Sequence, residues 1–71
     1  MTDLELLKKY ISGSGLRTED LADVCRITNS RMLLLLSGKV EFRASEMISL
    51  SRILGLDGEE SARIFFAKEV E

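Results

Sequence analysis

The sequence predicts an all-α protein, a compact bundle of five short helices, on three observations. Apolar residues recur at three- and four-residue spacing, proline is absent, and clusters of Gly, Ser, Thr and Asp separate the periodic stretches. Seventy-one residues make one domain, 1–71. A domain of this size buries only about 60% of the surface its unfolded chain exposes, so the core must be small. With 45% hydrophobic residues and no low-complexity tract, the chain has the apolar material that disordered segments lack.

The elements follow in order. The first helix is expected from about Asp3 to Ser12, with Thr2 and Glu5 as a capping box, Leu4, Leu7 and Ile11 on one stripe, and Gly13-Ser14-Gly15 as the stop. Lys8 and Lys9 fall off that stripe, on a solvated face. The second begins near Thr18, with Glu19 and Asp20 in its first turn, where acids suit the positive helix end. Arg26-Ile27-Thr28 makes a turn, and Thr28 or Asn29 then caps a third helix that runs to about Leu36 and closes at Ser37-Gly38. Lys39 to Arg43 reads as a loop. The fourth helix covers about Ala44 to Leu54 and stops at Gly55, and Asp57 with Glu60 is a capping box that opens the fifth through Phe65 and Phe66. The expected core is Leu4, Leu7, Ile11, Leu21, Ala22, Val24, Ile27, Met32, Leu36, Met47, Leu50, Leu54 and Phe65, with Phe66 half exposed where a dimer contact often lies.

Composition removes several classes of function. One cysteine, Cys25, makes no internal disulfide, and with no histidine the chain lacks the usual partners for a zinc site or a Cys/His nucleophile. Cys25 reads as a small buried hydrophobe. No glycine-rich phosphate loop or activated nucleophile appears, and carboxylates are scattered on outer helix faces, so the expectation is a non-enzyme without cofactor or metal. Acids at Asp3 and Glu5, where a signal peptide would carry lysines, and the lack of a bilayer-length apolar run point to the cytoplasm and away from the membrane. Net charge is −2, but it is unevenly spread: residues 26–43 carry Arg26, Arg31, Lys39 and Arg43 against Glu41 alone. One face is therefore suited to attract polyphosphate while the rest repels it.

The functional constellation is helix, three-residue turn, helix, from Thr18 to Leu36. Ala22 is small enough for two helix axes to cross closely, and Ile27 is an apolar anchor for the corner. The text Gly15-Leu16, Thr18-Glu19-Asp20-Leu21-Ala22, Ile27-Thr28-Asn29-Ser30, Leu36-Ser37-Gly38-Lys39 and Glu41-Phe42 resembles the λ-repressor/Cro-like (XRE-type) helix-turn-helix family, in particular small phage-related regulators. The stretches Ser45-Glu46-Met47, Ile53-Leu54-Gly55-Leu56, Glu59-Glu60 and Ile64-Phe65-Phe66 extend the similarity over nearly the whole chain. Arg26 stands in the turn where the family usually has glycine, at a cost on the order of 1 kcal/mol if that residue is left-handed. Arg17 stands where the family usually has a threonine cap.

The resemblance implies a cytoplasmic, dimeric, sequence-specific transcription regulator of the repressor type that binds double-stranded DNA. The recognition helix, about 29–36, would lie in the major groove. Thr28, Asn29, Ser30 and Arg31 would face base edges, since Asn reads adenine and Arg reads guanine, while Thr18, Lys39 and Arg43 would sit near phosphates. In the run Met32-Leu33-Leu34-Leu35-Leu36, helical spacing groups Met32, Leu35 and Leu36 on one side and turns Leu33 and Leu34 outward. Such leucines touch thymine methyls in a groove, or form an adhesive patch. The alternative reading is therefore a helix-turn-helix-fold module that binds a protein partner through Leu33 and Leu34.

Overall fold

The computed structural model describes residues 2–66, and all regular structure there is helical: α1 (Leu4–Ser14), α2 (Thr18–Cys25), α3 (Asn29–Leu36), α4 (Ala44–Ile53) and α5 (Gly58–Phe65). None of these helices is long and apolar enough to cross a membrane. α2 packs on both α3 and α4, while α5 packs on α1 and α4.

Helix boundaries follow from local chemistry. α1 is capped by Asp3, whose carboxylate accepts the Leu6 N–H at 3.1 Å, and not by the expected Thr2 and Glu5 box. The Asp3 N–H donates to the Ile64 carbonyl at 2.6 Å, so contact with α5 fixes which residue takes the cap. At α5 the box between Asp57 and Glu60 forms as expected, with reciprocal bonds of 2.8 and 3.0 Å. Glu60 also accepts the Tyr10 hydroxyl at 2.9 Å, which links α5 to α1.

α3 ends on Gly38 at φ 80°, with the Gly38 N–H on the Leu35 carbonyl and the Lys39 N–H on that of Leu34. This paired closure satisfies two of the carbonyls a helix end leaves unpaired. α2 ends with the same two bonds, Arg26 to Asp23 and Ile27 to Ala22, but the left-handed residue is Arg26, at φ 58°. A side chain there costs about 1–2 kcal/mol, while glycine loses about 0.5–1 kcal/mol through unfolded-chain entropy. Arg26→Gly is thus expected to raise stability by about 0.5–1 kcal/mol in urea unfolding, and a loss of stability would show that the arginine side chain holds the turn.

The buried apolar residues are Leu7, Leu21, Ala22, Met32, Leu35, Phe42, Leu50, Ile64 and Phe65. Leu4, Ile11, Ile27, Leu36, Met47 and Leu54 pack against them half-buried. Val24, expected inside, is exposed. At about 100° per residue, Leu21, Cys25 and Ala22 fill an arc of roughly 100° on α2, and Val24 lies about 60° beyond its edge. Phe42, in the loop before α4, is buried edge-on to Phe65 with ring centroids 5.4 Å apart. Phe66 is exposed, as the sequence suggests.

Candidate nucleic-acid interface

α3 is held by one face and offered by the other. Met32 and Leu35 are fully buried, whereas Leu33 and Leu34 are 54% and 41% exposed. Ser30 lies on the same outer arc as these leucines, and Asn29, in the first turn, is exposed beside it. The Thr28 hydroxyl oxygen accepts the Arg31 N–H at 3.1 Å, so Thr28 is the cap of α3 and retains its own hydroxyl proton to donate outward.

Arg31, expected at base edges, is paired within the fold. Its Nε donates to Glu46 Oε2 at 2.7 Å and its Nη2 to Glu46 Oε1 at 3.2 Å. Glu46 is 2% exposed and stands in the first turn of α4, where its Oε1 also accepts the Arg43 N–H at 2.6 Å. One carboxylate thus ties the start of α3 to the start of α4. Burial pushes the Glu46 carboxyl up. Hydrogen bonds from Arg31 and the Arg43 N–H, together with the charges of both arginines, outweigh burial and hold it below its ordinary value. Glu46 is the site residue that sequence reasoning missed. Its local role is legible as an acid three residues after the Arg43 cap position. Its partner, fifteen residues earlier, has no signal in the sequence.

The remaining cations flank α3. Arg26 is exposed in the turn before it, Lys39 is exposed just after its end, and Arg43 is exposed at the cap position of α4; none has an ion-pair partner among the described residues. With Arg31 neutralised by Glu46, these three and Glu41 define the strip. Thr18 is half-buried at the start of α2, beside Glu19 and Asp20. Those acids pair with Arg17 at 2.8 and 3.5 Å and oppose a phosphate at that helix end. Cys25 is half-buried, burial pushes its thiol up, and its Sγ lies 3.9 Å from the Glu46 carbonyl.

The arrangement offers an exposed apolar and amide-bearing helix face, with cations in the turn before it and the loop after it. No protein-family model matches the chain, and no curated protein or solved structure matches it.

Proposed function

We propose that the protein is a sequence-specific DNA-binding transcription regulator of the phage-repressor type. In this reading α2, the Arg26–Thr28 turn and α3 form a helix-turn-helix motif in a λ-repressor-like domain, and α3 enters the major groove. The observation that carries it is the anchored helix with an exposed outer face, with exposed Arg26 in the turn before it, Lys39 just after its end and Arg43 at the start of α4, where its N–H meets Glu46. Buried Ala22 beside the turn lets α2 and α3 approach closely. Two copies would read two half-sites, and exposed Ile48 and Phe66, beside a groove of about 420 Å³ between α4 and α5, suit their pairing.

The test is titration of random duplex DNA at two salt concentrations. Three phosphate contacts give a slope of roughly −2.7 in log affinity against log salt, or about a 40-fold loss between 50 and 200 mM. Lys39→Ala is expected to flatten that slope by about 1 and to weaken all sequences alike. Affinity that does not change with salt, or no binding to any duplex, would sink the reading.

The exposure of Leu33 and Leu34 supports a second reading, in which the same face binds a protein partner or a second copy.

A further inference from the structure

We propose that the Arg31–Glu46 pair is an orienting lock: it fixes the rotation of α3 about its own axis, and with it the direction of the outer face, without adding to the stability of the domain. The lock acts on the face itself, whatever that face meets. Among the described residues, the two bonds from Arg31 to Glu46 are the only hydrogen bonds that join α3 to another element. The Thr28 cap, the Ser37 hydroxyl and the closure at Gly38 all bond within or beside the helix. The other attachment is apolar, through buried Met32 and Leu35 and half-buried Leu36. Apolar burial has no direction, and an unbranched methionine repacks readily, so this attachment holds α3 down but fixes its rotation only loosely.

The placement of the pair suits it to that task. At about 100° per residue, Arg31 lies about 40° from Leu35 and about 60° from Leu34, on the border between the inner and outer faces. A tie at that border opposes rotation, whereas contacts on the inner face lie under the pivot. Its anchor is fixed, because Glu46 is 2% exposed and accepts the Arg43 N–H at the start of α4. Outer side chains stand about 5–6 Å from the axis, so a turn of roughly 20° carries Leu33 and Leu34 by about 2 Å, enough to spoil a fitted contact. Energetics point the same way. The lost hydration of a buried ion pair offsets its attraction, and apolar residues of similar volume in both places often leave a fold as stable or more so.

The experiment compares the parent chain with Glu46→Ala and with a double variant, Arg31→Met with Glu46→Leu. Melting reads stability, and backbone amide NMR relaxation reads the order of α3 against that of α2 and α4. Glu46→Ala removes one partner and is expected to melt about 10 °C or more below the parent, whereas the double variant melts within about 5 °C of it. In the double variant the order parameters of Asn29–Leu36 are expected to fall from about 0.85 toward 0.6, or their signals to broaden by exchange, while α2 and α4 keep the parent's values. An α3 as rigid in the double variant as in the parent overturns the proposal, because apolar packing alone then fixes the face. Loosening spread evenly over all helices overturns it too. So does a fall of about 10 °C or more, or a failure to fold, in both the double variant and its Glu46→Gln form, which keeps an oxygen for the Arg43 N–H; the pair is then a source of stability.

Discussion

Replacing Glu46 by alanine is expected to lower stability by about 2–3 kcal/mol. The carboxylate is buried and accepts three hydrogen bonds, two from the Arg31 guanidinium and one from the Arg43 N–H. Bonds to a charged group are worth about 1.5–3 kcal/mol, and loss of a helix cap adds about 1 kcal/mol. Relief of the carboxylate's own burial offsets part of this. A domain of this size has a total stability of roughly 4–10 kcal/mol, so the loss is a large share. The melting temperature should fall by about 10–20 °C. A change of a degree or two would mean that Arg31 and Glu46 are hydrated separately in solution.

The same pair gives a pH dependence with a definite sign. The folded Glu46 carboxyl is held below its unfolded value of about 4.3, so its contribution is complete above that pH and is lost as pH falls through the lower folded value. Asp20 acts in the same direction, chiefly through the hydrogen bond from the Arg17 N–H. Glu46→Gln is therefore expected to flatten the acid limb of the stability curve without abolishing it, leaving the Asp20 part. An unchanged acid limb would assign acid unfolding to other carboxylates.

Leu34→Lys is expected to separate the two readings of the outer face, because its effects have opposite signs. Leu34 is 41% exposed, so the lysine leaves the core undisturbed and the fold is retained. In a major groove the new cation adds about one phosphate contact and raises non-specific affinity about fivefold at physiological salt. Against a protein partner or second copy, removing a leucine worth roughly 1.5–3 kcal/mol of burial weakens association by about 10- to 150-fold. Sedimentation and duplex titration of the one variant read both arms. Unfolding of the variant would assign Leu34 to the core and dismiss both.

The helices were legible because the signals that start and stop them act within three or four residues. Asp57 with Glu60, Thr28 before α3, and the closures at Gly38 and Gly55 need no distant partner. The outward turn of Leu33 and Leu34 followed from helical geometry alone. Exposure of the candidate residues was legible, but not the bonds between elements. Thr28, Asn29, Ser30, Leu33, Leu34, Lys39 and Arg43 are exposed in or close to α3 in the sequence, as expected, while Arg31 is tied to Glu46 on α4.

By itself the sequence determined the five helices of residues 2–66, most of their boundaries and the outward turn of Leu33 and Leu34 on α3. Tertiary structure alone decided that Asp3 rather than Thr2 caps α1, that Phe42 enters the core from a loop, that Val24 stays outside, and that Arg31 spends its charge on Glu46. Periodicity reports which way a side chain points from its own helix, but burial depends on what another element places opposite. A loop has no period to read, and a pairing between residues fifteen apart exists only once α4 has docked beside the start of α3.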